Sequence, residues 1–103
     1  MKLSFVIPIY NPRKNDILRC LDSIYTTTPS NIQPSDYQIV CINDFSSETD
    51  GIEAIESYIF NGSHPGNLLI VHHKENLRQG GARNTGIKVA LGDYIQFVDQ
   101  DDF

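Results

Sequence analysis

Three absences in this 103-residue sequence narrow what the protein can be. Basic residues are few: eight Lys and Arg stand against 13 Asp and Glu, giving a net charge of −5, so no basic stripe exists to meet a nucleic-acid backbone. The apolar run near the N-terminus is too short for a signal peptide or a membrane span. No internal repeat or low-complexity stretch occurs, so the length fits one domain or part of one.

Cysteine and the common phosphate-binding motifs are also scarce. Cys20 and Cys41 fall in a predicted helix and a predicted strand, with neither a CxxC pair nor a metal-binding spacing. We therefore expect them to be reduced core residues of a cytosolic protein. The chain has no Walker A loop and no GxGxxG fingerprint, which disfavours a simple nucleoside triphosphatase or an NAD enzyme.

The apolar runs that are present alternate in kind. Segments rich in β-forming residues predict strands over residues 3–7, 37–42, 68–71 and 93–98. We expect Pro8 to end the first strand and the fourth strand to be buried. Helical spacing predicts helices from Asn15 or Asp16, from about Thr49, and over residues 81–91. The order β-α-β-α-β-α-β predicts an α/β fold, a Rossmann-like, mostly parallel sheet with flanking helices and the fourth strand beside the first.

Polar residues collect where these strands end. They are Tyr10 and Asn11, Asn43 and Asp44, His72 to Lys74, and Asp99 to Asp102. Open α/β sheets bind ligands beyond the carboxyl ends of their strands, so the pattern favours a binding site at this edge. His72 and His73 are adjacent, and a strand would point them to opposite faces, which argues against a metal pair.

The acidic cluster after the fourth strand is the strongest single signal. Asp99 and Asp101 are spaced to face one divalent cation, and hard carboxylate oxygens suit Mg²⁺ or Mn²⁺. The alternative is a solvated acidic turn. The remaining chain favours the site, because three other polar groups gather at the same edge.

Two residues of this edge have two interpretations each. Tyr10 could lie across the rim as a stacking platform, or it could pack on the first helix. Asp44 could accept the N–H of a base such as uracil, or it could cap the next helix, for which Ser46 and Ser47 are also available.

The segment from Asn76 to Asn84 offers groups for an anion. Gly80 and Gly81, at a predicted helix start, would leave backbone N–H groups open, and Arg78 and Arg83 stand beside them. This chemistry fits a diphosphate. Arg83 and Asn84 could equally tie the helix to the rim.

Together these segments resemble the N-terminal half of a glycosyltransferase family 2 domain of the GT-A fold. The segments that carry the resemblance are VIPIYN at 6–11, INDFSS at 42–47, NLRQGGARN at 76–84, GDYI at 92–95 and FVDQDD at 97–102. Enzymes of this family transfer a sugar from a nucleotide-diphosphate sugar, often UDP-linked, to an acceptor hydroxyl with inversion at the anomeric carbon.

The resemblance implies a role for each matching position. The implied donor-binding residues are Pro8, Tyr10, Asn11, Asp44, Arg78, Gly80, Gly81 and Asp99. Pro8 and Tyr10 would border the base, and Asp44 would contact its ring nitrogen. Arg78 would sit near the diphosphate. Asp99 and Asp101 match the family's Asp-x-Asp, whose partners are the ribose and a divalent cation, Mn²⁺ or Mg²⁺, with Asp101 as the direct metal ligand.

One position departs from the family pattern. The family often has Asp-Asp-Gly-Ser after its second strand, where this chain has Asn43, Asp44, Phe45 and Ser46. The second Asp is kept, so contact with the base is still expected, while the loop could differ in shape.

The family's domain continues for roughly a hundred residues beyond Asp-x-Asp. We therefore expect residues 1–103 to be the donor-binding part of a domain truncated after this motif, with no catalytic residue within the chain and the general base beyond Phe103. The alternative is a nucleotide-sugar-binding module without chemistry of its own.

The resemblance also implies a setting. We expect a glycan, a lipid-linked molecule or another hydroxyl compound as acceptor, polysaccharide biosynthesis as the process, and a full-length protein in the cytoplasm at the inner face of the membrane. The chain alone should be inactive, and it should self-associate through surfaces that the missing half would cover.

Overall fold

Four strands alternate with three helices in the part of the chain that the computed structural model describes, residues 2–27, 33–60 and 67–100. In chain order they are β1 (Leu3–Ile9), α1 (Lys14–Thr27), β2 (Tyr37–Asn43), α2 (Asp50–Phe60), β3 (Leu68–His72), α3 (Arg78–Val89) and β4 (Tyr94–Phe97), with a 3₁₀ turn at Pro34–Asp36. None of the described helices is long and apolar enough to cross a bilayer.

The four strands form one parallel sheet in the order β3-β2-β1-β4. This confirms the predicted α/β fold and the position of β4 beside β1. The chain winds from β1 to β2 and β3 on one side, and then returns to place β4 on the other side of β1. The order of strands therefore switches beside β1, where open α/β sheets bind their ligands.

Helices cover both faces of the sheet. On one face, α1 and α2 pack on Ile7, Ile39 and Cys41 through the buried side chains of residues such as Ile17 and Ile55. On the opposite face, α3 packs on three strand residues, Val6, Val40 and Ile42, through Ala82. Every residue of β2 is buried, which is typical of a central parallel strand covered on both sides.

The expectation that Pro8 ends the first strand was wrong. β1 continues to Ile9 and keeps its register with β2. The Val6 carbonyl accepts the Val98 N–H on the β4 side, and the Ile9 carbonyl accepts the Asp44 N–H on the β2 side. Because successive residues alternate between neighbours, the Pro8 nitrogen faces the β4 side, where strand pairing has already ended. A missing donor is tolerated there.

Two other expectations also need correction. β4 is not a buried strand: it lies at an edge of the described sheet, and Tyr94 is 75% exposed. α3 begins at Arg78, three residues before Gly81, and ends at Val89. The early start has a physical cause, because the side-chain oxygens of Asp44 and Asn76 accept the N–H groups of Leu77 and Arg78.

The cysteines are free and buried, as predicted for core residues. A small buried polar network joins the connection between α3 and β4 to the sheet. Gln38 Oε1 accepts the Ser4 hydroxyl at 2.7 Å and the Leu91 N–H at 2.7 Å, while Ser4 Oγ accepts the Gly92 N–H at 2.9 Å. This network sets where β4 begins and so where the segment after it reaches the cleft.

Candidate functional site

A cleft of about 310 Å³ opens at the carboxyl ends of β1 and β2, between α3 and the segment that follows β4. The residues that line it are Pro8, Ile9, Tyr10, Asp44, Gln79, Ala82, Asp99 and Gln100. The cleft therefore lies at the switch in strand order, the edge where the sequence predicts a site.

Asp44 is the buried carboxylate of this cleft, with 5% of its surface exposed. Its Oδ1 accepts the Leu77 N–H at 2.7 Å and lies 2.9 Å from His73 Nδ1. Every hydrogen bond that the described residues make to this carboxylate falls on Oδ1, and no fully buried side-chain oxygen among them lacks a partner. Oδ2 is therefore the oxygen that remains for a ligand. Asp44 supports the start of α3, whereas the capping interpretation had assigned it to the next helix.

His73 was placed at this edge from the sequence, but its contact with Asp44 was not predicted. Its Nδ1 contacts Asp44 Oδ1, and its Nε2 lies 2.7 Å from Thr85 Oγ1. A signal was present in the strand pairing: β2 and β3 are parallel and Asn43 pairs with His72. The residues that follow each of them, Asp44 and His73, are therefore neighbours.

His72 points away from that contact. Its Nδ1 accepts a hydrogen bond from Asn43 Nδ2 at 2.9 Å, and its Nε2 lies 3.7 Å from a Glu56 oxygen. This confirms that the two adjacent histidines face different partners. Across residues 2–27, 33–60 and 67–100, no three His, Cys, Asp or Glu side chains come together as a metal site.

Asn11 organises the loop that follows Asp44. Its Oδ1 accepts the N–H groups of Ser47 at 2.8 Å and Glu48 at 2.9 Å, and its own N–H donates to Ser46 Oγ at 2.9 Å. Its side-chain oxygen is thus engaged within the protein. The donor-binding role expected for Asn11 stays a prediction, with this structural role beside it.

Phe45 occupies the position where the family often has glycine. Its φ is 61°, in the left-handed region where glycine is least strained, and its side chain is 55% exposed. The loop after Asp44 thus has a backbone conformation that suits glycine although a phenylalanine stands there. The hydrogen bonds of Asn11 keep the loop in this strained conformation. The Ser46 N–H, which donates to Asn43 Oδ1, also stabilises it.

Tyr10 and Gln100 both line the cleft and contact each other. The Tyr10 N–H donates to Gln100 Oε1 at 2.8 Å, and Gln100 Nε2 donates to the Tyr10 carbonyl at 3.3 Å. The Tyr10 ring lines the cleft and is 47% exposed. This position favours the stacking interpretation of Tyr10 over packing against α1.

Asp99 brings a second carboxylate to the cleft. Its backbone carbonyl accepts a weak hydrogen bond from Cys20 Sγ at 3.7 Å, and its Oδ1 accepts one from Gln79 Nε2 at 3.4 Å. An exposed carboxylate at the cleft rim has the hard oxygen chemistry that a divalent cation needs. Asp101 and Asp102 lie outside the described residues. Of the predicted Asp-x-Asp pair, the structure therefore describes only Asp99.

The segment expected to bind an anion enters its helix earlier than predicted, and the diphosphate role of Arg78, Gly80 and Gly81 stays a prediction. Gly80 and Gly81 lie inside the first turn of α3, and Gln79 and Ala82 are the residues of α3 that line the cleft. Arg78 is exposed, with a φ of 66°. The Arg83 guanidinium lies 5.5 Å from the centre of the Phe97 ring, so Arg83 ties α3 to β4.

Comparison with known proteins matches this chain to glycosyltransferases. Residues 4–103 match the family model described as glycosyl transferase family 2. A poly(ribitol-phosphate) beta-glucosyltransferase of Bacillus spizizenii is 36% identical over 104 residues, covering 100% of this chain and 15% of the relative. The glycosyltransferase GlyA of Streptococcus pneumoniae is 35% identical, covering 99% of this chain and 13% of the relative. The chain thus spans less than a sixth of the length of either protein.

Solved structures share the fold. S. aureus TarS 1-349 in complex with UDP-GlcNAc aligns with a TM-score of 0.79 at 27% identity, covering 98% of this chain and 27% of that one. The mannosyltransferase PcManGT from Pyrobaculum calidifontis, in complex with GDP-Man and Mn²⁺, aligns with a TM-score of 0.82 at 23% identity, covering 97% and 27%. The second likeness, at its lower identity, concerns the fold alone.

Proposed function

The chain belongs to glycosyltransferase family 2, and from this premise we propose that it supplies the donor site of an enzyme that transfers a sugar from a UDP-sugar to an acceptor hydroxyl with inversion. The observation that carries the proposal is the convergence of three groups on one cleft. They are the half-exposed ring of Tyr10, the buried carboxylate of Asp44 and the exposed carboxylate of Asp99. A uridine nucleotide offers a flat base that can stack on Tyr10 and a ring N–H that Asp44 can accept. A divalent cation would join the Asp99 carboxylate to the anionic diphosphate.

Asp44 would select the base. Uracil carries a hydrogen on N3, which a carboxylate oxygen accepts, whereas N3 of cytosine is itself an acceptor and would face the carboxylate lone pairs. A buried carboxylate set against an acceptor is unfavourable, so the site should prefer UDP to CDP. The UDP-GlcNAc bound by TarS, at 27% identity, supports a uridine donor.

Tyr10 would supply the stacking surface. Its ring lies in the cleft beside Pro8, at the end of β1, and Gln100 holds its backbone from the other side. An aromatic ring fixed in this way can lie against the base while the carboxylate reads the base edge.

Asp99 and Asp101 would hold a divalent cation, Mn²⁺ or Mg²⁺. The cation, when bound, neutralises charge on the leaving diphosphate. The oxygen chemistry of Asp99 fits such an ion, and Gln79 Nε2 lies 3.4 Å from Asp99 Oδ1. Asp101 is the ligand expected to matter more.

Isothermal titration with UDP tests the proposal. We expect binding with Mn²⁺ or Mg²⁺ present and a loss of at least about tenfold in affinity when EDTA removes the cation. Asp101→Ala should reproduce the effect of EDTA in the presence of metal. The matched control is Asp93→Ala, because Asp93 precedes β4 and so lies at the amino end of that strand, away from the cleft. Equal UDP binding with and without metal would contradict the metal role, and the absence of UDP binding would contradict the donor site.

A further inference from the structure

We propose that His73 is a positioning residue of the donor site, which holds Asp44 so that one carboxylate oxygen faces the base. The inference rests on the proposed function, since it concerns how the base-reading carboxylate is kept in place. It assigns a role to a histidine that the sequence alone had set aside.

The geometry places His73 between two elements. Its side chain is 8% exposed, and that of Asp44 is 6% exposed, so both lie away from bulk water. Nδ1 is 2.9 Å from Asp44 Oδ1, and Nε2 is 2.7 Å from Thr85 Oγ1 on α3. The ring is therefore fixed at both ends, between the carboxyl end of β2 and the inner side of a helix.

Counting hydrogens assigns the donor of each contact. An ionised Asp44 only accepts, so the hydrogen of that contact is on His73 Nδ1. Thr85 has one hydroxyl hydrogen, and its Oγ1 also lies 3.1 Å from the Gly81 carbonyl. With a neutral ring, Thr85 donates to Nε2; with a charged ring, Thr85 accepts from Nε2–H and donates to the Gly81 carbonyl. Nδ1 donates to Asp44 in both cases, so the contact does not depend on the charge of the ring.

The contact matters because of where it falls. The Leu77 N–H and His73 Nδ1 both reach the same oxygen, Oδ1, from the two ends of the connection between β3 and α3. Two donors on one oxygen restrict rotation about the carboxylate bond and leave Oδ2 directed to the cleft. With the Leu77 N–H alone, the carboxylate can turn and share its oxygens between protein and ligand, and the base would lose a fixed partner.

Amide substitutions separate the two ends of the ring. His73→Asn places an amide nitrogen near the position of Nδ1 and can still donate to Asp44. His73→Gln places its amide near the position of Nε2 and reaches Thr85 in place of Asp44. We expect His73→Gln to weaken UDP binding by at least about tenfold and to reduce the preference for UDP over CDP, while His73→Asn retains most of both. His72→Gln is the matched control, because His72 faces Asn43 and Glu56.

The readouts distinguish positioning from mere stability. Titrations with UDP and CDP are run on the 103-residue chain, and the thermal unfolding midpoint of each variant is measured in parallel. A folded His73→Gln variant that discriminates UDP from CDP as the unsubstituted chain does would overturn the inference while leaving the proposed function intact. Failure of the unsubstituted chain to bind UDP would instead overturn the proposed function, and this inference with it.

A spectroscopic measurement needs no variant. Ring ¹⁵N–¹H correlation spectra of the ligand-free chain report which nitrogen of His73 carries a hydrogen. We expect the hydrogen on Nδ1, the nitrogen that contacts Asp44 Oδ1. An Nδ1 without hydrogen would contradict the inference whether or not any variant folds.

Discussion

Tyr10 and Gln100, 90 positions apart in the chain, exchange two hydrogen bonds between the Tyr10 backbone and the Gln100 amide. The Gln100 side chain thereby joins the segment after β1 to the segment after β4, across the point where the order of strands switches. Both residues line the cleft that we propose as the donor site. In the sequence Gln100 stands between Asp99 and Asp101, so under the proposed function it would join the base side of the cleft to the metal side.

Replacing Gln100 tests this connection. Gln100→Ala removes both hydrogen bonds, and we expect the free energy of unfolding to fall by about 1 kcal/mol, because the contact is exposed and water can partly replace it. UDP binding should weaken as well, since Tyr10 and Asp99 lose their common support. Urea unfolding and titration with UDP measure the two effects. The control is Gln96→Ala, whose amide donates only to the neighbouring Phe97 carbonyl in the described structure; equal losses in both variants would contradict the role of Gln100.

Replacing Phe45 by glycine should stabilise the fold. Its φ of 61° is strained for a bulky residue, at a cost of about 1–3 kcal/mol, whereas glycine adopts this conformation freely. We expect Phe45→Gly to raise the free energy of unfolding by about 1 kcal/mol after the greater chain entropy of glycine is subtracted. Urea unfolding provides the measurement.

Asn11→Gly is the matched comparison, because Asn11 also has a positive φ, of 45°. Asparagine tolerates this region, so the substitution relieves little strain. It removes the Oδ1 that accepts two loop N–H groups, together with the side-chain contacts to the Ser47 hydroxyl. We expect a loss of about 1 kcal/mol. A gain in both variants would mean that backbone strain alone governs this loop.

Gly86 and Gly80 lie in the same helix and should respond in opposite ways to alanine. A Cβ at Gly86 would overlap the Val6 side chain, since α3 approaches β1 closely there, whereas a Cβ at Gly80 would meet nothing within 4 Å. We expect Gly86→Ala to lower the free energy of unfolding by about 1–3 kcal/mol. Gly80→Ala should raise it by up to about 1 kcal/mol through helix propensity. Thermal or urea unfolding of the pair decides; a stabilised Gly86→Ala would contradict the packing of α3 on β1.

Cys41 should make stability fall at alkaline pH. Burial, with the nearby Cys20 thiol adding to it, raises the pKa of the Cys41 thiol well above its ordinary value of 9.0. Below pH 9 both the folded and the unfolded chain keep this proton. Above it the unfolded chain releases the proton and the folded chain does not, so the free energy of unfolding falls by up to about 1.4 kcal/mol per pH unit. Urea unfolding between pH 8 and pH 10 measures the slope, and Cys41→Ala should reduce it; an unchanged slope would assign the loss to other groups.

The parallel sheet was predictable because apolar strand segments alternate with helical segments along the chain. The position of β4 beside β1 was predictable because right-handed crossovers in a Rossmann-like sheet favour it. Pro8 was misjudged because only the pairing register shows that its nitrogen faces a side without a partner strand. The predicted start of α3 was wrong because the Leu77 N–H, just before the helix, donates to Asp44. Asp44 lies 33 positions away in the chain, so the local sequence does not show this contact.

In the candidate site, too, some residues could be predicted from the sequence and others could not. Tyr10, Asp44 and Asp99 were predicted to lie at one edge because each follows a strand, and all three line one cleft. His73 was set aside because its role depends on the pairing of β2 with β3 and on Thr85 of α3. A residue whose function is to hold another is defined by its neighbours in space, which the local sequence does not state.

The most direct test of the account is the preference of Asp44 for a base with a ring N–H. UDP and CDP are titrated into the unsubstituted chain and into Asp44→Asn, each with Mn²⁺ present, with Asp93→Asn as the folded control. We expect the unsubstituted chain and Asp93→Asn to bind UDP at least about tenfold more tightly than CDP, and Asp44→Asn to lose that preference because its amide nitrogen can face the cleft and donate to cytosine N3. An Asp44→Asn chain that folds and still prefers UDP as the unsubstituted chain does would contradict the account.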